Sequence, residues 1–287
     1  MSLSKRVKIV GVIITFNEER RIERAVTSLR AVTDDIVVVD SESTDATQEI
    51  AERLGAEVVT HSFEGFSAQR RWALEYVVEA HGPDFVLSLD ADEWLTSELV
   101  SDLRHRVQSD CLDADIYLVN LRIGFDGRLL RWGGFANTWL PRLFRPGSAT
   151  YETREVNEHL AASEGVSIER LLGYVVNDDV DSWEDHIAKH NRYSTLEAKA
   201  RIRLGDGSKR HITAADAVRL PYMRRRWIRQ HIWDRLPARP ALRFAQIYVL
   251  AGGFLDGRAG FRRALFEAWQ EMCTDLKAEA MRAGRPP

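Results

Sequence analysis

The sequence predicts an α/β protein, a mostly parallel sheet flanked by helices with a helical appendage at its C-terminal end. Three observations lead there. Apolar runs of strand length alternate with helix-period segments as far as Asp90. Acidic clusters follow several of the strands, where ligands sit in open α/β sheets. Charge is also divided unevenly: residues 216–287 hold 14 Lys and Arg against 7 Asp and Glu, whereas residues 1–215 hold 26 against 36. An acidic body followed by a basic stretch predicts two regions with two jobs, parted near residue 215.

Val7–Ile14 is a near-continuous apolar run, the pattern of a strand covered on both faces. It ends at Thr15-Phe-Asn-Glu-Glu19, after which Ile22, Ala25, Val26 and Leu29 fall at helical spacing. Ile36–Asp40 is the second strand. Ser41-Glu-Ser-Thr-Asp45 then supplies a turn, a cap and an acidic first helical turn, and the helix runs to Leu54 and stops at Gly55. Glu57–Thr60 is a third strand, Ser67–Val78 a third helix and Phe85–Asp90 a fourth strand. Further on, Leu143-Phe144 lies on a strand flanked by Arg142 and Arg145, and Trp183–Arg203 is a helix. The glycines between Gly252 and Gly260 reverse the chain before a last helix ending at about Arg282.

The chemistry gathers at Asp90-Ala-Asp92, followed by a third acid, Glu93. If the strand continued that far, the two aspartates would project to one side, where they repel unless a cation sits between them. A hard divalent ion such as Mg²⁺ or Mn²⁺ takes such oxygen ligands and bridges to phosphates. A plain surface turn is the competing reading. Thr15–Glu18 and Asp40–Asp45 fall at the same edge, and hydroxyls and carboxylates gathered there suit a nucleotide. The first strand is followed by Thr15-Phe-Asn rather than a Gly-rich turn, which argues against a dinucleotide-dependent dehydrogenase, and no Walker A sequence is present.

These residues resemble a known family. Ile14-Thr-Phe-Asn-Glu-Glu19, Val39-Asp-Ser-Glu-Ser-Thr-Asp45 and Leu89-Asp-Ala-Asp92 look like the three signatures of family 2 inverting glycosyltransferases of GT-A fold. The likeness is strongest to the bacterial branch that builds lipopolysaccharide core and related surface glycans. Phe66–Trp72, Pro141–Arg145, Val156–His159, His186–Ser194 and Gly253–Phe261 extend the resemblance along most of the chain, with Arg71 a departure where the pattern has an amide. The resemblance implies a catalytic domain over 1–215, with a nucleotide-sugar-binding half (1–110) and an acceptor-side half (111–215), and a basic amphipathic helical region over 216–287. It implies a UDP-sugar donor held by Thr15, Asn17, Glu18, Asp40, Ser41, Gln69, Arg70, Asp90, Ala91 and Arg142. Within that set Asp40 would meet the base, Asp90 the ribose or the metal, and Asp92 would ligate Mg²⁺ or Mn²⁺. The acceptor would be a glycan or glycolipid.

Inverting transfer needs a base for the acceptor hydroxyl. Glu152, Glu155, Glu158 and Glu164 are candidates, and Glu158 is favoured because Val156-Asn-Glu-His-Leu160 resembles the family's acceptor-facing segment. The bland alternative pairs Glu158 with Arg154 or His159. Asp45 is read as helix N-terminal charge. Arg142 and Arg145 would contact phosphate or be solvated strand-edge charges. Trp132 and Trp139 would form a sugar-stacking loop or belong to the core. His186 and His190, spaced as a zinc pair, have no third ligand at suitable spacing and are read as helix-face residues.

Between Arg219 and Arg243 lie eight arginines and one acid, Asp234, interleaved with Trp227, Ile228, Ile232 and Trp233. This mixture predicts peripheral contact with an anionic membrane, against a helix packed on the catalytic domain with a solvated arginine face or nucleic-acid binding. Two cysteines provide no disulfide framework, Met1–Lys8 lacks a signal-peptide apolar core, and no apolar run reaches the ~20 residues of a membrane span. The expectation is a cytoplasmic protein at the cytoplasmic face of the inner membrane. A sugar-nucleotide-forming nucleotidyltransferase would carry a Gly-rich basic loop after the first strand, which is missing. A non-catalytic nucleotide-sugar-binding protein, or transfer to a polyprenyl phosphate or a protein, stays open.

Overall fold

A computed structural model describes residues 7–151, 160–178, 182–205, 233 and 236–287. The chain divides into two compact units, one of residues 1–121 and 140–178, the other of residues 122–139 and 179–287.

The first unit is built on β1 (Ile9–Thr15), whose side chains are almost all apolar and buried. β2 (Asp35–Asp40) and β4 (Phe85–Asp90) flank it in parallel, and β3 (Glu57–Thr60) extends the sheet beyond β2. Burial on both faces is why these strands read as unbroken apolar runs. Helix α1 (Ile22–Arg30) buries Ile22, Ala25, Val26 and Leu29 on this sheet, as their spacing predicts. Gly11 permits the close approach: a Cβ there would stand 3.0 Å from Leu29 Cδ1. α2 (Thr47–Arg53) and α3 (Phe66–His81) complete the crossovers. Full burial of each such aliphatic side chain contributes roughly 1.5–3 kcal/mol.

Beyond β4 the sheet ceases to be parallel. β5 (Glu93–Leu95) leads into α4 (Ser97–Gln108), followed by β6 (Ile116–Phe125), β7 (Arg128–Leu129), β8 (Thr138–Phe144), β9 (Ala149–Tyr151), β10 (Leu160–Ala162) and β11 (Ile168–Asn177). The order across the sheet is β3-β2-β1-β4-β8-β6-β11-β5, with β7 on β6, while β9 and β10 form a separate hairpin. β8 runs antiparallel to β4, and β11 antiparallel to β5. Gly173, at φ 82°, lets β11 pass α4: a Cβ would sit 2.4 Å from Leu99 N.

The second unit contains α5 (Trp183–Gly205), α6 (Arg239–Ala245) and α7 (Gly257–Arg282). Phe125, Leu130 and Ala259 form a small core there, and charged contacts join the helices. Arg201 bridges α5 to Glu271 and Asp275 at 2.6 and 2.7 Å, and Arg239 meets the same Asp275. Lys277 Nζ donates to Asn191, Ser194 and Thr195 on α5. Among the described residues α5 groups with α6 and α7 in one unit.

Candidate active site

Strand register decides which side chains meet. Thr15 lies opposite Asp40, Ile14 opposite Asp90, and Asp40 opposite Thr60. The C-terminal ends of β1, β2 and β4 are therefore level, and the three acidic or hydroxyl-bearing segments share one edge. Thr15 is 5% exposed, and among the described residues its Oγ1 has no hydrogen-bond partner. A buried hydroxyl in that state is unusual and calls for a ligand atom.

The loops after β1 and β2 are stitched together. Asn17, at φ 54°, donates its backbone N–H to Ser43 Oγ at 2.8 Å and accepts the Thr44 N–H at its own Oδ1 at 2.8 Å. Left-handed backbone is tolerable for Asn, which explains that residue type here. Glu18 N–H donates to Thr47 Oγ1, and the Glu18 carboxylate pairs with Arg21 at 2.6 Å. Asp45 accepts from Thr47 and from Glu19 N–H. Burial works to raise the Asp45 pKa, but these hydrogen bonds outweigh it and the carboxyl is held below its usual range. Asp40 is fully buried and accepts from Ser43 N–H at 2.8 Å and Gln48 Nε2 at 2.6 Å. Ser41 N–H donates to Thr15 O at 2.9 Å. Asp40 thus shapes the loop that carries Ser41–Asp45.

A second cluster surrounds Asp90. Arg70, from α3, donates to Asp90 Oδ1 at 2.5 Å, and Arg142, from β8, stands 3.6 Å from Oδ2. Arg142 also donates to Glu93, whose other oxygen accepts the Asp90 N–H at 3.1 Å. Asn177 of β11 donates to Asp92 Oδ1 at 2.9 Å, because Asn177 pairs with Glu93 across β5 and β11. Burial pushes the Glu93 carboxyl up to about 8; Arg142 opposes this and the Asp90 and Asp92 charges add to it. For Arg142 burial opposes its charge, but Glu93 and Asp90 more than offset this and raise its pKa.

β4 ends at Asp90, and Ala91-Asp92 form a tight turn. Strand alternation therefore does not set the direction of Asp92, contrary to the premise of the sequence argument; Asn177 fastens it instead. Among the described residues no three acid, His or Cys side chains converge as a full metal cage. Asp90 and Asp92 offer two carboxylates on one turn, with Arg70 and Arg142 beside Asp90. That fits Mg²⁺ or Mn²⁺, which commonly bind through one or two carboxylates and complete their shell with phosphates and water.

The remaining predicted residues have partners of their own. Gln69 is 1% exposed and engages His61, with its Oε1 2.8 Å from Nδ1; His61 N–H in turn donates to Asp40 O. Arg145 donates to Leu112 O and lies over the Phe85 ring, a supporting role. His186 and His190, at 1% and 8% exposure, sit with Phe125, Trp183 and Phe266 inside the helical unit. Trp132 is half exposed in that unit. Glu158, with its neighbours Glu152 and Glu155, and most of the 219–243 stretch lie outside the described residues. No helix among the described residues is long and apolar enough to cross a membrane. Sequence reading left three participants unassigned: Glu93, Asn177 and Tyr151, whose ring lies 5.8 Å from the Arg70 guanidinium and whose hydroxyl meets Ser88. Glu93 had a signal, an acid heading the short apolar strand of Trp94 and Leu95.

A parallel half-sheet ending in Thr15, Asp40 and Asp90, continued by antiparallel strands carrying Arg142 and Asn177, is a GT-A fold. Residues 12–166 match the family model for glycosyl transferase family 2, and the chain belongs to that family. It is 33% identical over 225 residues to an uncharacterized glycosyltransferase of Rickettsia conorii, covering 71% of this chain and 74% of that one. To the lipopolysaccharide core biosynthesis glycosyltransferase LpsC of Rhizobium meliloti it is 26% identical over 203 residues, or 67% and 71% of the two chains. Among solved structures it is similar to the mannosyltransferase PcManGT of Pyrobaculum calidifontis in complex with GDP-Man and Mn²⁺, at a TM-score of 0.53, 17% identity and coverage of 96% and 88%. It is also similar to residues 1–349 of S. aureus TarS in complex with UDP-GlcNAc, at 0.51, 16% identity and coverage of 97% and 93%.

Proposed function

We propose that the protein transfers a sugar, with inversion, from a UDP-hexose to a hydroxyl of a lipid-linked or lipopolysaccharide-core acceptor. Family membership carries the glycosyltransferase activity. The observation that supports the donor site is the levelling of Thr15, Asp40 and Asp90 at one sheet edge, with the Thr15 hydroxyl buried and, among the described residues, without a hydrogen-bond partner. The core-biosynthesis relative supports the acceptor class.

In this reading Thr15, Asn17 and Glu18 line the nucleoside, and Asp40 and Ser41 present the base-side wall. Arg70 and Arg142, already gathered at Asp90, turn guanidinium donors toward the diphosphate. Asp90 and Asp92 would hold Mg²⁺ or Mn²⁺. When bound, that ion supplies positive charge to the leaving diphosphate. Glu158 takes the acceptor hydroxyl proton as the oxygen attacks the anomeric carbon on the face opposite the diphosphate. The arginine-rich 219–243 stretch contacts anionic lipid.

The test is turnover with UDP-sugars, Mn²⁺ and deacylated core oligosaccharide, with UDP release and the anomer of the product read by NMR. Release of UDP with an inverted product supports the reading. A retained anomer, or turnover only with another nucleotide sugar, would overturn it.

A further inference from the structure

Two short loops of the helical unit build an exposed apolar tip. After α6 the chain turns through Gln246–Leu250, one turn of π-helix, and Gly253–Asp256, one 3-10 turn, before α7 begins. Glycine makes the reversal possible: a Cβ on Gly253 would stand 2.7 Å from Ile247 O, and one on Gly260 only 1.9 Å from Gly253 O. A second loop is fastened to the first. Asp256 Oδ2 accepts the N–H groups of Trp132 and Arg131 at 2.8 and 3.1 Å, and Gly133 N–H donates to Ala251 O at 2.9 Å.

A tip this firmly hydrogen-bonded would ordinarily turn its large apolar side chains inward. Here Leu250 is 83% exposed, Val249 58%, Leu255 54%, Phe254 51% and Trp132 49%. Single exposed hydrophobic residues are common, but four on one short loop, with a fifth on the loop hydrogen-bonded to it, mark a contact surface. Arg131 and Arg258 are exposed beside them. Asp256 is the sole acid from Phe244 to Phe266, and its carboxylate already serves backbone N–H groups.

We propose that this tip docks into an anionic lipid surface, with Leu250, Val249, Leu255 and Phe254 entering the acyl boundary and Arg131 and Arg258 meeting the headgroups. The charge pattern selects this occupant over a second copy of the chain. An isologous dimer through the tip would bring Arg131 and Arg258 against their own copies, where Asp256 is engaged by backbone N–H groups and Asp126 by Arg262, whereas anionic headgroups supply the countercharge. Trp132 and the half-buried Tyr248 are the ring types that favour the membrane–water boundary. The tip uses none of the residues assigned to the donor site, so the proposal does not depend on which sugar is transferred.

The test is flotation of the full chain at physiological salt with phosphatidylcholine vesicles, pure or mixed with phosphatidylglycerol. Leu250→Asp is compared with wild type, and Val249→Asp provides a second variant. Both positions are exposed, and an unchanged melting temperature and UDP affinity confirm an intact fold. Wild type is expected to float with the mixed vesicles only, and either variant to partition about tenfold more weakly, since an inserted aliphatic becomes a charge. Absence of wild-type flotation, or equal flotation of wild type and both variants, would overturn the proposal. So would a wild-type dimer in light scattering that Leu250→Asp dissolves, which would identify the occupant as a second copy.

Discussion

Arg142 and Glu93 meet side chain to side chain in a contact closed off from water, with side-chain exposures of 9% and 1%. The same Glu93 carboxylate accepts the Asp90 N–H, so one residue holds both the guanidinium and the turn that carries Asp90 and Asp92. Removing one member of a buried pair leaves the other charge stranded and typically costs about 3–5 kcal/mol. Glu93→Ala is expected to destabilise on that scale in urea unfolding, and to weaken UDP binding as the turn loosens. Adding Arg142→Met should restore part of the stability but none of the binding. Additive losses in the double variant would contradict the coupling.

Thr15 gives a sharper contrast between stability and binding. Its hydroxyl is buried without a partner among the described residues. Such a group typically costs about 1–3 kcal/mol when unsatisfied, so Thr15→Val should leave the melting temperature level or raise it. The same change should weaken UDP binding by about tenfold, the worth of one hydrogen bond. Calorimetry measures this directly, and unchanged affinity would remove Thr15 from the site.

Glu158→Gln should bind UDP-sugar as wild type does and lose turnover by about 10²–10⁴-fold, the usual contribution of a general base. Single-turnover kinetics at saturating donor separates the two effects. Wild-type turnover would pass the role to a neighbouring acid such as Glu152 or Glu155.

Stability of the helical unit should fall with acid in a defined window. Glu267 lies between Arg263 and Arg243, at 2.6 and 2.7 Å. Burial alone would raise its pKa, but the two guanidinium groups overcome this and hold it at about 2, against an ordinary 4.5. A carboxyl depressed on folding stabilises above its unfolded pKa and loses that contribution as pH falls through the folded one. The contribution is therefore full above about pH 5 and gone near pH 2. With 14% of the side chain exposed, it is on the order of 2 kcal/mol. Urea unfolding at pH 7 and pH 3 should show a larger acid loss in wild type than in Glu267→Gln; equal losses would refute it.

The first four strands were readable because a sheet covered on both faces leaves a local imprint, an apolar run with a polar stop. β3 and β4 begin and end where the sequence places them, and α1 buries the four residues its period selects. The second half was less legible because its contacts are long-range. Nothing near Asp92 announces that Asn177, on a strand far along the chain, will hold it, nor that Arg142 will reach Glu93. Gln69, carried over from a resemblance, is hydrogen-bonded to His61, a contact between α3 and the residue after β3 that no local pattern announces. The grouping of α5 with α7 depends on Arg201, Lys277 and their partners, charged residues that periodicity treats as solvent-facing.

In the proposed donor site Asp90 and Asp92 anchor a metal-bridged nucleoside diphosphate at the sheet edge. Calorimetric titration of UDP with and without Mn²⁺, on wild type and on Asp92→Ala, tests it most directly. Binding that strengthens with Mn²⁺ in wild type and loses that gain in Asp92→Ala is the expected result. Equal affinity with and without the ion, or a metal effect that survives Asp92→Ala, would contradict it.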